Sequence, residues 1–324
     1  MLIPQYQKIN NFQFSSGETL AEIKIEYSTM GKPQKDKNGN IINAILFLHG
    51  WSGDYSSIER LVDVIGPGKV VDTNKYYVIS TTALGSPGSS SPSTTQLGIE
   101  YPEYVIKDMV NAQYRLLSEY LNVRKLRGVI GTSMGGFLTL TWGIEYPKFM
   151  EFLIPIVTGF NSKGRNFAIF SLMNLFLLKD PGYKNGKYES NPINAVENCS
   201  MLLYLFAFSP EYYKKEFETN EILYDSLIER GKESGNKDAN DIFWRNRAAN
   251  SFDVEEDLHK IEAKTLIIGI NQDQLFPPHT DTIPLHKAIK KSEIFIYDSE
   301  QGHLGINELI KAENSIKKFL NNKE

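Results

Sequence analysis

The chain has 324 residues, of which 41% are hydrophobic and 23% are charged; these values are ordinary for a globular protein and exclude a disordered or fibrous chain. Its 35 basic and 39 acidic side chains leave a net charge of -4, which gives no electrostatic basis for binding nucleic acid or an anionic membrane. Cys199 is the single cysteine, so an intramolecular disulfide and a cysteine-based metal site are both excluded.

Two features argue against export and membrane insertion. Residues 1–14 lack the basic start and the unbroken apolar core of a secretory signal. The most apolar windows, 167–178 and 201–208, are too short to span ~30 Å of hydrocarbon. We therefore expect a cytoplasmic protein with no membrane and no nucleic-acid partner.

The first half of the chain reads as strands alternating with helices. Loose alternation of apolar and polar residues over 12–29 predicts one or two antiparallel strands. Short apolar runs at 41–48 and 77–82, rich in β-branched and aromatic residues, predict buried strands of a parallel sheet. Apolar residues at helical spacing over 104–121 predict a helix that leads into another buried strand at 126–130.

The second half contains an interruption. After a predicted strand at 152–157, apolar helical windows and a charged stretch replace the alternation over residues 160–249. The pattern then resumes with two strands and two helices (264–270, 280–291, 293–297 and 306–320). This order predicts an α/β fold with a mostly parallel sheet covered by helices on both faces. We divide it into a core of residues 1–159 and 250–324 and an inserted helical cap of residues 160–249.

The motif Gly-Thr-Ser-Met-Gly-Gly at 131–136 lies between a predicted strand and a predicted helix. This context is typical of a nucleophile elbow, in which a strained turn exposes the serine hydroxyl and flanking glycines avoid clashes. Ser133 is thus the candidate nucleophile. The first amides of the following helix have no partner within it, so the N–H of Met134 is a candidate donor to an oxyanion.

A second glycine-rich turn, His-Gly-Trp-Ser-Gly at 49–53, follows the strand predicted at 41–48. Ligands of open α/β sheets bind at the carboxyl ends of the strands, so this turn should lie beside the substrate. We predict the N–H of Trp51 as the second oxyanion donor. We interpret His49 as a structural residue that packs the turn.

The acid and the base are predicted from chain order, because elbow serines are followed by an acid and then a histidine. Asp273 follows the strand 264–270 and is the preferred acid. Asp298 is its competitor but belongs to a connecting turn, and Asp281, in a predicted helix, is expected to be solvated. His303 lies in the loop before the last helix and is the candidate base, which would take the proton of Ser133 while Asp273 fixes its tautomer.

Metal-assisted chemistry has no support in the sequence. The five histidines show no H-x-x-x-H spacing and no comparable spacing with carboxylates. We expect no metal and no cofactor.

With these residues placed, the chain resembles the homoserine O-acetyltransferase group of the α/β-hydrolase superfamily from about residue 44 to the C-terminus. The match rests on the elbow, on the Gly/Ser/Pro loop at 85–92, on the cap block around 180–188 and on the Asp-Gln-Leu-Phe-Pro-Pro block at 273–278. The resemblance implies an α/β-hydrolase fold with an inserted cap. It also implies dimers that form through the cap, so a homodimer is expected.

Finer features resemble a branch described as esterases, among them Trp142-Gly143 and the Asp-Ala-Asn-Asp block at 238–241. True transferases of the group carry an aspartate after the catalytic histidine, associated with holding the amino-acid substrate, where this chain has Leu304. A leucine cannot pair with an ammonium group. The transferase turn that reads His-Ala-Leu-Thr-Gly is also replaced here by His-Gly-Trp-Ser-Gly at 49–53.

The resemblance adds one candidate substrate-binding residue. Arg165 matches an arginine that faces the substrate carboxylate in the transferases, and a salt bridge within the cap is the alternative role. The windows 167–178 and 201–208 could line an acyl pocket, or pack on the core or on a second subunit.

The leading hypothesis is a serine esterase that cleaves small acyl esters through an acyl-Ser133 intermediate. One alternative is an O-acetyltransferase that moves acetyl from acetyl-CoA, as co-substrate, to a homoserine- or serine-like hydroxyl. Another is a non-catalytic binding protein with the same fold, against which the intact Ser133, Asp273 and His303 argue.

Overall fold

The computed structural model of the protein describes residues 2–322, and its centre is an eight-stranded sheet. The strands, in chain order, are β1 Gln5–Gln13, β2 Thr19–Met30, β3 Ala44–Leu48, β4 Ile65–Gly66, β5 Val71–Asp72, β6 Tyr77–Thr81, β7 Leu126–Thr132, β8 Met150–Ile156, β9 Lys264–Ile270 and β10 Ser292–Tyr297. The large sheet has the order β1-β2-β6-β3-β7-β8-β9-β10, and β4 pairs with β5 in a separate ribbon.

Six of these strands form a parallel array. β1 runs antiparallel to β2, and β2 runs antiparallel to β6. The six strands β6, β3, β7, β8, β9 and β10 are all parallel to one another. Every residue of β3 is buried, as expected for a strand covered on both faces. The prediction of an α/β fold with a mostly parallel sheet is confirmed.

The helices, in chain order, are α1 Ile106–Arg115, α2 Met134–Glu145, α3 Arg165–Lys179, α4 Ile193–Ala207, α5 Pro210–Glu216, α6 Asn220–Lys232, α7 Ala239–Asn250, α8 Thr282–Ala288 and α9 Glu313–Asn321. Two apolar clusters cover the sheet. One contains Met109 of α1 and Leu138 of α2, and the other contains Ile316 and Phe319 of α9. Helices therefore lie on both faces, as predicted.

The five helices α3 to α7 all lie between β8 and β9 in the chain. α3 packs against α4 and α7, and α4 packs against α6. These helices coincide with the segment for which a cap is predicted. The domain boundaries at 159/160 and 249/250 stay predictions.

Several elements differ in extent from the sequence-based predictions. Two N-terminal strands form, and the first begins at Gln5 rather than near residue 12. The helix predicted over 104–121 is α-helical only over Ile106–Arg115 and continues as one wider turn. The helix predicted over 306–320 begins as a 3-10 segment, Gly302–Ala312, before α9. Among the described residues, no helix is long and apolar enough to cross a membrane.

Candidate active site

Ser133 occupies the turn between β7 and α2, and its backbone is strained. Its φ of 55° and ψ of -120° lie in a region that non-glycine residues rarely adopt. The turn is held by its surroundings: the Ser133 N–H donates to the carbonyl of Ile156 at 2.9 Å, and the hydroxyl of Thr158 donates to the Ser133 carbonyl at 2.9 Å. The predicted elbow geometry is thus present around a half-buried serine.

The glycine at 135 is required by a close approach of the backbone. A Cβ atom there would collide with the carbonyl oxygen of Leu48, the last residue of β3. The start of α2 therefore lies directly against the end of β3. As the first residue of α2, Met134 directs an amide without an intrahelical acceptor into the same region.

The glycine-rich turn at 49–53 lies beside the nucleophile. A Cβ built on Gly50 would be 3.4 Å from the Cβ of Ser133 and 3.9 Å from its Oγ. Trp51 and Met134 both line the cavity that contains Ser133. Their amides remain predicted oxyanion donors, now with a location that suits the role.

His49 is held by the backbone through both ring nitrogens. The N–H of Ala83 donates to Nε2 at 2.9 Å, so Nε2 is an acceptor and Nδ1 donates to the Gly50 carbonyl at 2.6 Å. Burial lowers the pKa of His49 to about 4. A neutral histidine that fixes the turn accounts for these contacts.

His303 and Asp273 are hydrogen-bonded, although 30 positions separate them in the chain. Nδ1 of His303 lies 2.8 Å from Oδ2 of Asp273. The other carboxylate oxygen accepts the N–H groups of Leu275 at 2.8 Å and Phe276 at 3.1 Å. The carboxylate is thus fixed at both oxygens, and among the described residues Nε2 of His303 has no hydrogen-bond partner. This arrangement suits the predicted base, whose role stays a prediction.

Ser133 and His303 face a common cavity of about 270 Å³. Within residues 2–322, the structure has no hydrogen bond between the serine hydroxyl and the imidazole. Such bonds are often long in ligand-free enzymes and shorten when substrate is bound. The apolar part of the wall includes Phe137, Phe170, Leu203, Leu275, Phe276 and Leu304.

The competing acids lie elsewhere. Asp298 is exposed and accepts hydrogen bonds from the side chains of Asn271 at 2.8 Å and Gln272 at 3.1 Å, which lower its pKa. Asp281 is half-buried, and burial raises its pKa to about 6. The expectation that Asp281 is solvated is therefore wrong, because its carboxylate packs over the chain at Gly159.

Arg165 does not face the cavity. It is exposed at the first turn of α3, where Nη1 donates to the carbonyl of Gln274 at 3.0 Å and the guanidinium lies 5.9 Å from the ring centre of Phe206. Among the described residues, Arg165 therefore neither lines the cavity nor forms a salt bridge within the cap. The side chain instead binds the cap to the loop that carries Asp273.

The two apolar cap windows do contribute to the cavity wall. Phe170 of α3 and Leu203, Tyr204 and Ala207 of α4 line it. Other residues of α3, such as Leu175, are exposed. Each window therefore has one face toward the cavity or core and one toward solvent.

Three cations of the cavity wall, Arg60, Arg230 and Lys237, were missed by sequence analysis. They lie in polar stretches that carry no motif, so only the fold shows that they meet. In the described part of the chain, no group of three or more His, Cys, Asp and Glu side chains is arranged to hold a metal ion.

Comparison with known proteins gives matches along most of the chain. The family model described as alpha/beta hydrolase fold matches residues 43–306. A probable acyltransferase of Methanothermobacter thermautotrophicus is 48% identical over 315 residues, which cover 97% of each chain. A homoserine O-acetyltransferase of Methanohalobium evestigatum is 31% identical over 313 residues, which cover 85% of this chain and 63% of that protein.

Among solved structures, esterase E22 superposes with a TM-score of 0.88 and 26% identity, over 99% of this chain and 100% of that one. The resemblance to the homoserine O-acetyltransferase group is confirmed by the sequence relatives. Since the matching family model spans both the elbow of Ser133 and the loop of His303, the chain belongs to the α/β-hydrolase family.

Proposed function

We propose that this protein is a serine esterase that cleaves small acyl esters through an acyl-Ser133 intermediate. The observation that carries the proposal is the 2.8 Å contact between His303 and Asp273 at the wall of the cavity that also contains Ser133. A buried, fixed acid–imidazole pair beside a strained serine is the arrangement that activates a hydroxyl for attack on an ester carbonyl.

The proposed reaction has two halves. Oγ of Ser133 attacks the ester carbonyl as Nε2 of His303 takes its proton, and the amides of Trp51 and Met134 donate to the resulting oxyanion. The C–O bond to the alcohol then breaks, and His303 returns the proton to the leaving oxygen. In the second half, water attacks the acyl-serine with His303 again as base, which releases the acid and restores Ser133.

Water is the preferred acceptor because of Leu304. Its side chain lines the cavity next to His303, where an ammonium-bearing acceptor would need a carboxylate. Leucine cannot supply one, so the site lacks an obvious means of holding homoserine or serine. The small cavity volume also favours short acyl groups.

A second candidate is transfer of the acyl group to a hydroxyl acceptor, with an acyl-CoA as donor. The 48% identity to a protein named as a probable acyltransferase supports this reading. Both reactions pass through acyl-Ser133. They differ in the leaving group, which is the alcohol of an ester or the thiol of the coenzyme after its C–S bond breaks, and in what then attacks acyl-Ser133. A non-catalytic binding protein is the third reading, which the complete set of side chains at positions 133, 273 and 303 disfavours.

Three measurements on the purified protein separate these readings. Hydrolysis of p-nitrophenyl acetate without an acceptor, lost in Ser133→Ala, would support the esterase. Consumption of acetyl-CoA only in the presence of homoserine or serine, with little ester hydrolysis, would assign the transferase instead. If a fluorophosphonate probe labels wild type no more than Ser133→Ala, that result would favour the non-catalytic binding protein.

A further inference from the structure

The wall of the cavity carries an excess of positive charge. Three cationic side chains, Arg60, Arg230 and Lys237, line it together with one carboxylate, that of Glu233. Cations that line a substrate cavity raise the local concentration of anions and favour their binding. The three cations differ, however, in how far they are already neutralised.

Arg230 is already paired. Its Nη1 lies 2.9 Å from the carboxylate of Glu233, and its guanidinium lies 5.3 Å from the ring centre of Tyr204. Arg60 is exposed at the end of a 3-10 turn and is well hydrated. A bound anion would therefore stabilise neither of them as much as it would stabilise a partly buried cation without a counter-ion.

Lys237 is different, because it is partly buried and has no acidic partner in the described part of the chain. Its ammonium donates to the hydroxyl of Ser234 at 3.3 Å and lies 5.8 Å from the ring centre of Trp51. Among residues 2–322 it forms no salt bridge. Burial and the charge of Arg245 lower the pKa of Lys237, as expected for a cation that has lost water without gaining a counter-ion.

The position of this ammonium relates it to the proposed chemistry. The indole of Trp51 lies beside Lys237, and the backbone of the same residue supplies a proposed oxyanion amide. One hydroxyl contacts the ammonium and a second contacts the first: Ser234 accepts from Lys237, and Ser200 donates to Ser234 at 2.6 Å. One ammonium with neighbouring hydroxyls suits a carboxylate, whereas a phosphate dianion usually meets several cations or a nest of amides.

We propose that the ester substrate bears a carboxylate and that Lys237 pairs with it. This inference rests on the proposed function and narrows it to esters of small acids or alcohols with a second, anionic group. Ionic pairing at Lys237 orients the ester so that its carbonyl lies near Ser133. Lys237 is then a specificity-determining residue and not part of the proton relay.

The test uses matched esters that differ only in charge. Monomethyl succinate and methyl succinamate place the carboxylate or its neutral amide isostere on the acyl side. 3-Acetoxypropanoate and 3-acetoxypropanamide place them on the alcohol side. Wild type is expected to prefer the anion by about tenfold or more in kcat/KM in one pair, which also identifies the side that meets Lys237.

In Lys237→Met this preference is expected to fall to about one, and Lys237→Arg is expected to retain it. Lys232→Met is the control, because Lys232 is exposed at the end of α6 and does not line the cavity. Equal hydrolysis of anionic and neutral esters by wild type would overturn the proposal. The proposal would also be overturned if Lys237→Met slowed only the reaction of acetyl-CoA and not that of S-acetyl-N-acetylcysteamine or the anionic esters. The anion that Lys237 binds would then belong to the coenzyme.

A binding measurement separates this inference from the proposed function. Succinate, but not succinamide, is expected to raise the melting temperature of wild type and not that of Lys237→Met. If this difference appears while no ester is cleaved, the anion site stands and the esterase proposal fails. If esters are cleaved, but succinate does not shift the melting temperature and wild type shows no preference for anionic esters, the esterase stands and the carboxylate assignment is wrong.

Discussion

Arg245 donates a hydrogen bond of 2.9 Å to the carbonyl oxygen of Trp51, although 194 positions separate the two residues. Its other terminal nitrogen donates to the carbonyl of Gly85, also at 2.9 Å, and its guanidinium lies 5.3 Å from the indole centre of Trp51. The adjacent Asn246 accepts the indole N–H at 2.9 Å. Helix α7 thus fixes the turn that carries a proposed oxyanion donor.

Arg245→Met is expected to lower kcat by about 10- to 100-fold, because a displaced Trp51 amide no longer meets the oxyanion. KM should change much less. The loss of hydrogen bonds from a buried cation is expected to cost about 2–3 kcal/mol in unfolding free energy. Steady-state kinetics and urea denaturation measure the two effects. Arg247→Met, on the same helix but in an exposed pair with Glu103, is the control; equal losses in both variants would refute the positioning role.

Asp273→Asn is expected to lower kcat by about 10⁴-fold while the protein stays folded. The amide oxygen can still accept the N–H groups of Leu275 and Phe276. The amide nitrogen would then face Nδ1 of His303 and select the tautomer whose Nε2 carries a proton, which cannot accept one from Ser133. Asp298→Asn should leave kcat nearly unchanged. A comparable loss in Asp298→Asn would move the acid to that residue.

Leu304→Asp is expected to shift the fate of acyl-Ser133 toward transfer. A carboxylate beside His303 would offer homoserine or serine the ammonium partner that leucine lacks. With an acetyl ester as donor and homoserine present, the ratio of O-acetylhomoserine to free acetate should be about tenfold higher than in wild type. Leu304→Asn preserves size without charge and should not raise it. If Leu304→Asn has the same effect, polarity rather than charge is responsible.

Asp281→Asn is expected to stabilise the protein above pH 6 by about 1–2 kcal/mol. The pKa of Asp281 is raised by burial from 3.8 to about 6, so the native state binds a proton more tightly than the unfolded state. The contribution of protonated Asp281 to the free energy of unfolding is therefore fully present below pH 3.8 and is lost as the pH rises through about 6. Urea unfolding between pH 4 and 7.5 should show the gain of Asp281→Asn growing across this window. A gain that is independent of pH would contradict the linkage.

The protein is expected to form a homodimer through helix α3. Phe167, Leu175 and Leu178 are spaced to share one face and are 52%, 44% and 49% exposed, and such a patch favours association. The double variant Leu175→Glu/Leu178→Glu should be monomeric by light scattering after size-exclusion chromatography. Ile222→Glu, on α6, is the control for an exposed apolar residue outside this face. A monomeric wild type would refute the prediction.

Local sequence determined the parts of the molecule whose signals are local. Apolar runs become buried strands because a strand inside a parallel sheet has no solvated face, and β9 has the bounds its run predicts. The glycines around Ser133 determine the elbow because they lack Cβ atoms: a Cβ at Gly135 would collide with the end of β3, and one at Gly131 would collide with the start of α2. The order of serine, aspartate and histidine, together with the placement of Asp273 after a strand and His303 in a loop, selected the two residues that form the 2.8 Å pair.

Tertiary structure alone decided which distant side chains meet and how much water each retains. The burial of Asp281 depends on packing between two distant parts of the core. The contact of Arg245 with Trp51 and the lack of a salt bridge at Lys237 among residues 2–322 depend on packing between cap and core. No spacing in the chain provides a signal for either kind of packing. Arg165 belongs to a sequence motif, but the motif did not predict where its side chain points. In the folded protein the side chain donates to the Gln274 carbonyl. Burial and electrostatics are sums over all neighbours in space, so they exist only once the whole chain has folded.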